Sequence, residues 1–166
     1  MARSPPLLNG SKPFPWPPNV NFFLDEGLPP DVAVALRLIG YPLLDWEQEG
    51  RSGWKDPDLI PWIAAQKLTW VTKDHAAKRA HIADIRRQGI SVVWVRGMER
   101  EKKNHISVHE LHLMLAARLL PIALTLTKSH APIHHELYCR GHPDTPAVSC
   151  HRLNPDLIDP KSSVRS

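Results

Sequence analysis

Three acidic positions, Asp25, Asp56 and Asp74, stand where a chain could gather carboxylates from separate segments. Asp25 and its neighbour Glu26 close the apolar run Val20-Asn21-Phe22-Phe23-Leu24, and Asp74 closes a second, Leu68-Thr69-Trp70-Val71-Thr72-Lys73. Asp56 and Asp58 open a helix-like segment between them. Apolar runs of this kind read as strands buried in a parallel sheet, and α/β folds place their ligand crevice at the carboxyl ends of such strands. Carboxylates gathered there repel one another unless a divalent cation neutralises them. Hard oxygen donors favour Mg²⁺ or Mn²⁺ over zinc. From spacing alone the same residues also have a purely structural use. A strand-end Asp can cap the next helix or close an Asx-turn, and Asp56 ahead of Pro57 reads as an N-cap.

The elements that must hold these residues follow from periodicity. Val20 to Leu24 predicts a first strand, Gly27, Pro29 and Pro30 a turn, and Val32, Ala35, Leu36 and Ile39 a helix ended by Gly40. Tyr41 to Leu44 predicts a second strand and Glu47 to Lys55 a polar loop. A helix opening at Asp56-Pro57 follows, then strand Leu68 to Lys73, helix His75 to Gln88 and strand Ile90 to Val95. Residues 20–96 therefore alternate strand and helix, which predicts an α/β fold with a mainly parallel central sheet covered on both faces. A longer helix from about His105 to Leu120 carries Val108, Leu111, Leu115 and Leu119 on one face. Ile122 to Thr127 is expected to pair with His134 to Cys139 as an edge hairpin.

Domain limits follow from composition. Six prolines before residue 19 remove backbone donors, so residues 1–19 are expected to be a disordered Pro-rich lead-in, 20–140 the domain and 141–166 a flexible tail. A chain of 166 residues fits one domain that needs no disulfide, and only two cysteines are present, so a reducing cytoplasm is the expected location. The prolines break any N-terminal signal core, and no run approaches the roughly 18 apolar residues of a membrane span. The net charge of +4 is compatible with a polyanionic partner.

Phe22-Phe23-Leu24-Asp25-Glu26-Gly27-Leu28-Pro29-Pro30, with the helix end Leu36-Arg37-Leu38-Ile39-Gly40, resembles the opening of PIN-like domains. The resemblance continues in Asp56-Pro57-Asp58-Leu59-Ile60-Pro61, in Trp70-Val71-Thr72-Lys73-Asp74 and through Ile90-Ser91-Val92-Val93-Trp94-Val95, covering about residues 20–120. The branch it is most similar to includes the VapC-type ribonuclease toxins. The resemblance implies a three-layer α/β/α sandwich and a Mg²⁺- or Mn²⁺-dependent endoribonuclease, the toxin of a type II toxin–antitoxin pair. It implies a cognate antitoxin, an RNA substrate and a homodimer. By position, Asp25, Asp56 and Asp74 become catalytic metal ligands, with Glu26 and Asp58 as further ligands, direct or through water. Many PIN domains carry another acid just after the last of these. Here the stretch His75-Ala76-Ala77-Lys78-Arg79 is basic instead, which motivates a rival reading: a catalytically silent PIN-like module that binds RNA or protein.

Lys73, His75, Lys78 and Arg79 follow the acidic set closely and could hold the phosphates flanking a cleaved bond. Arg96, Arg100, Lys102 and Lys103 form a second basic loop. Trp70 and Trp94 read as core, whereas Trp46 and Trp54 either cover the core or stack on unpaired bases. The late set His134, His135, Cys139, His142, Cys150 and His151 suggests zinc chemistry, but its spacing matches no familiar finger. A phosphotransfer receiver would need a strand-end Lys late in the sheet, and Lys73-Asp74 has the wrong order.

Overall fold

The computed structural model describes residues 16–96, 108–140 and 147–153, with the side chains of His75, Lys78, Val108 and residues 138–140 and 147–153 left outside the description. The elements run β1 (Phe22–Leu24), α1 (Pro30–Leu38), β2 (Leu43–Asp45), α2 (Asp56–Ala65) and β3 (Thr69–Thr72). They continue with α3 (His75–Arg87), β4 (Val92–Arg96), α4 (Val108–Leu126), β5 (His134–Arg140) and β6 (Ala147–Leu153). The strands lie in the order β2-β1-β3-β4-β5-β6, the first five parallel and β6 antiparallel to β5.

Alternation along the strands builds the two cores. Phe22, Leu24, Val71, Val93 and Val95 face one way and pack with Val32 and Leu36 of α1 and Leu111, Leu115 and Leu119 of α4. Phe23, Trp70, Val92 and Trp94 face the other way, against Leu59, Ile60 and Ile63 of α2 and Ala77 and Ile85 of α3. Successive strand side chains point to opposite faces, so near-continuous apolar runs fill both layers at once. The result is the expected α/β/α sandwich. Trp70 and Trp94 are fully buried core, as their strand positions predict.

The order of the strands creates the crevice. From β1 the chain crosses by α1 to β2 on one side, then returns by α2 to β3 on the other side of β1. The crossover from β1 runs to β2 and the one from β3 runs the other way to β4. The chain therefore parts between the carboxyl ends of β1 and β3, where open α/β sheets place their crevice. Asp25 follows β1 and Asp74 follows β3 at that gap.

Three expectations differ from the structure. First, the long helix does not stop before Pro121: α4 continues to Leu126, so Ile122 to Thr127 forms no hairpin strand. An internal proline costs about 3 kcal/mol. Burial of Ile122 and Ala123 recovers an amount of the same order, since a buried large aliphatic contributes roughly 1.5–3 kcal/mol. β5 instead extends the parallel sheet, and its hairpin partner is β6.

Second, the sheet passes the boundary expected at residue 140, because β6 spans Ala147–Leu153. At the other end Trp16, inside the expected lead-in, packs its ring 4.6 Å from that of Tyr41 and donates from Nε1 to the Val20 carbonyl at 2.7 Å. Third, the window His109–Leu126 of α4 has mean hydropathy 1.2, long and apolar enough by length and composition to cross a membrane. Leu111, Met114, Leu115, Leu119 and Ile122 of this helix are buried in the protein's own core.

Candidate functional site

Asp25 leaves β1 and is held by its own turn. Its amide donates to the Val71 carbonyl at 3.0 Å, and its carbonyl accepts from the Leu28 amide at 2.8 Å. The side chain is half-buried; Oδ1 accepts from the Glu26 amide at 2.7 Å and Oδ2 from the Thr72 hydroxyl at 2.7 Å. Burial raises the Asp25 pKa above the ordinary carboxylate range. The bonds from Thr72 and Glu26 oppose that shift, and the charges of Asp56 and Asp74 add to it.

Asp56 is not the N-cap that its place before Pro57 suggests. The helix begins at Asp56 itself, with Lys55 as the capping residue and no side-chain cap. The reason lies in the backbone: the Asp58 and Leu59 amides both donate to the Lys55 carbonyl at 2.9 Å. The Asp56 carboxylate is therefore left for other work. Burial raises its pKa, the charge of Asp74 raises it further, and His81 and Lys55 pull it down. His81 of α3 lies with Nε2 3.6 Å from Asp56 Oδ2 and Nδ1 3.9 Å from Asp84 Oδ2.

Asp74 does cap a helix. Its Oδ1 accepts from the Ala76 and Ala77 amides at 2.7 and 3.0 Å. Its own amide donates to Thr72 Oγ1 at 3.0 Å. Thr72 is thus a buried link, donating to Asp25 and accepting from the backbone of Asp74. Sequence reasoning passed over it. The available signal was a hydroxyl near the end of an otherwise apolar strand, two residues before an acid.

The remaining acids sit differently. Glu26 is exposed, and its Oε2 accepts from the Gly53 amide at 2.9 Å. Asp58 is exposed and lines a groove with Trp54, Pro57 and Trp62. Asp45, a third strand-end acid, pairs instead with Arg37 at 2.8 Å and accepts from the Gln48 amide at 2.8 Å. Lys73 and Arg79 are exposed, and a Cβ on Gly27 would come within 2.8 Å of Lys73 Cγ, so the glycine gives the lysine stem its path over the turn. His75 and Lys78 lie in the first turn of α3, and their side chains are outside the described part. Arg96 pairs with Glu136 at 3.3 Å; Arg100, Lys102 and Lys103 lie outside the described residues. Of the late set, His134 and His135 are buried in β5, His142 lies outside the described residues, and so do the side chains of Cys139, Cys150 and His151. Trp46 is half-buried over the core, donating to the Leu28 carbonyl at 3.3 Å.

Residues 20–97 match the family model described as a PIN like domain. The likeness is to that segment of the chain. No curated protein and no solved structure matches the chain. The PIN-like segment holds β1 to β4 and every acidic residue singled out above.

The donor chemistry of this crevice suits a hard divalent cation. Three carboxylates from β1, α2 and the start of α3 influence one another's charge, and two of them are held above their ordinary pKa. A cation would favour their ionised forms. Among the described residues, no three His, Cys, Asp or Glu side chains already form a group that could hold a metal ion. Replacing Thr72 by valine keeps the shape but removes both hydrogen bonds. A hydrogen bond to a charged group is worth about 1.5–3 kcal/mol, so urea denaturation should show a loss of stability of that order at neutral pH.

Proposed function

We propose that the protein is a Mg²⁺- or Mn²⁺-dependent endoribonuclease that hydrolyses RNA phosphodiester bonds, acting as the toxin of a type II toxin–antitoxin pair. The observation that supports this most is the mutual charge influence of Asp25, Asp56 and Asp74 beside the switch in strand order. In this reading the three carboxylates would hold the cation, with Glu26 and Asp58 as further ligands, direct or through water. When bound, the ion polarises a phosphoryl oxygen and makes a water nucleophilic at neutral pH. Thr72 fixes the Asp25 carboxylate, so that its remaining lone pairs point in one direction. The cap bonds to the Ala76 and Ala77 amides restrain Asp74 in the same way and use only one of its oxygens. Lys73, His75, Lys78 and Arg79 bind the phosphates on either side of the cleaved bond.

The antitoxin, the homodimer and the cytoplasmic setting belong to the same proposal and come from the resemblance to VapC-type toxins. Cleavage of a single-stranded RNA with Mg²⁺ or Mn²⁺, measured on gels with and without chelator, tests the enzymatic part. Chelator-sensitive cleavage is the expected result, and no cleavage with either metal would end the nuclease reading.

A second reading has its own support. Asp74 is already engaged as a helix cap, and His75 to Arg79 is basic where many PIN domains have another acid. A silent PIN-like module that binds RNA or a protein would need neither cleavage nor a metal ion.

A further inference from the structure

Beside the acidic crevice lies an open groove of about 650 Å³, lined by Trp54, Lys55, Pro57, Asp58, Pro61 and Trp62 among others. Trp54 keeps 38 % of its surface exposed, an unusual position for an indole. Trp62 is half-buried, its ring centre 5.1 Å from that of Phe23 and 6.5 Å from that of Trp54, both edge-to-face. Arg51 does not line the groove. Its guanidinium lies over both indoles, 4.1 Å from the Trp54 ring centre and 4.6 Å from that of Trp62, and holds the pair together.

The loop that presents Trp54 is built rather than loose. The Arg51 amide donates to the Trp46 carbonyl at 2.8 Å and the Trp54 amide to the Arg51 carbonyl at 3.1 Å. The Gly53 amide donates to Glu26 at 2.9 Å, tying the loop to the turn that carries Asp25. Gly53 has φ +72°, a conformation that favours glycine. Lys55 and Pro57, both in the groove lining, flank Asp56 in sequence. Gly53 also lines the groove, so through its bond to Glu26 the groove adjoins the turn that carries Asp25.

We propose that this groove, lined by Trp54 and Trp62, stacks an unpaired base of the RNA beside the cleaved phosphate. The inference rests on the ribonuclease reading for its location and on the groove itself for its chemistry. Indole faces and proline rings suit the flat face of a base, and stacking of this kind tolerates any sequence. The Asp58 carboxylate repels a phosphate, so the base enters the groove and the backbone stays out of it, with the exposed Lys55 of the lining free to meet a phosphate. A base held in a duplex could not reach the rings without unpairing.

The test uses the full chain carrying Asp25→Asn, without metal, so that binding is read apart from cleavage. Affinity for a labelled single-stranded oligouridylate is measured by fluorescence anisotropy, beside an abasic ribose-phosphate oligomer of equal length. Trp54→Ala is expected to weaken binding to the oligouridylate by roughly tenfold, with no change on the abasic oligomer, and Trp54→Phe to retain most of the affinity. Unchanged affinity in Trp54→Ala, an equal loss on the abasic oligomer, or no oligouridylate binding by the parent would each overturn the proposal. So would Trp54-dependent capture of a proline-rich peptide with RNA affinity unaffected, which would assign the groove to a protein partner. Trp54-dependent RNA binding in a chain that cleaves nothing would sustain the groove and sink the nuclease.

Discussion

Asp25→Asn is expected to lower RNA cleavage by at least about a hundredfold and, at the same time, to raise the Tm of the metal-free protein by a few degrees. The two effects have one cause. The carboxylate is half-buried, and burial together with the charges of Asp56 and Asp74 disfavours its ionised form. A folded-state pKa raised above the unfolded value means that the group's stabilising contribution is present at low pH. That contribution is lost as pH rises through the folded pKa. At neutral pH the charged Asp25 therefore destabilises the metal-free fold, and asparagine removes that charge. The amide oxygen can still accept from the Glu26 amide or the Thr72 hydroxyl, so the turn keeps its shape. Thermal melts of both proteins between neutral pH and the ordinary carboxylate range check the sign. The gap in Tm should narrow as the pH falls, because protonation relieves the wild type. An asparagine variant less stable than wild type at neutral pH would show that the site is not electrostatically frustrated.

Arg37→Ala should cost about 3 kcal/mol of folding stability, far more than a surface substitution. Asp45 ends β2 with its side chain only 3 % exposed, while Arg37 of α1 is 30 % exposed and reaches it at 2.8 Å. The same guanidinium nitrogen donates to the Leu43 carbonyl at 3.0 Å. Truncation leaves a buried carboxylate with one amide bond, from Gln48, and little else to hold its charge. The partly exposed arginine admits some water, which puts the cost near the lower end for broken buried pairs. Urea denaturation measures it directly. The double replacement Arg37→Met with Asp45→Leu should recover much of the loss, because no orphan charge remains. A double variant as unstable as Arg37→Ala would attribute the loss to packing rather than to the buried charge.

Asp45 also shows how far the residues alone carry the site. Asp25, Asp45 and Asp74 all end or follow apolar strands, and from sequence they are equivalent. What separates them is strand order, a non-local property. β2 sits at the sheet edge beyond the switch in crossover direction, so its terminal acid turns to Arg37 instead of the crevice. Alternation of period made the first four strands and first three helices legible, because buried parallel strands and amphipathic helices write themselves in local spacing. The end of α4 was not legible, since the cost of Pro121 is visible in sequence and the burial that offsets it is not. The role of Asp56 turned on a shift of one residue in the helix start, a distinction finer than capping signals resolve. Thr72 escaped notice because its importance lies in two partners brought together only by the pairing of β1 with β3.

In the nuclease reading, carboxylates from β1, α2 and the start of α3 act together on one divalent cation. Calorimetric titration of Mn²⁺ into the wild type, Asp25→Asn and Asp56→Asn tests it most directly. Saturable binding by the wild type that weakens at least about tenfold in each variant is the predicted result. No binding by the wild type, or equal binding by all three, would contradict it and leave the silent module as the better reading.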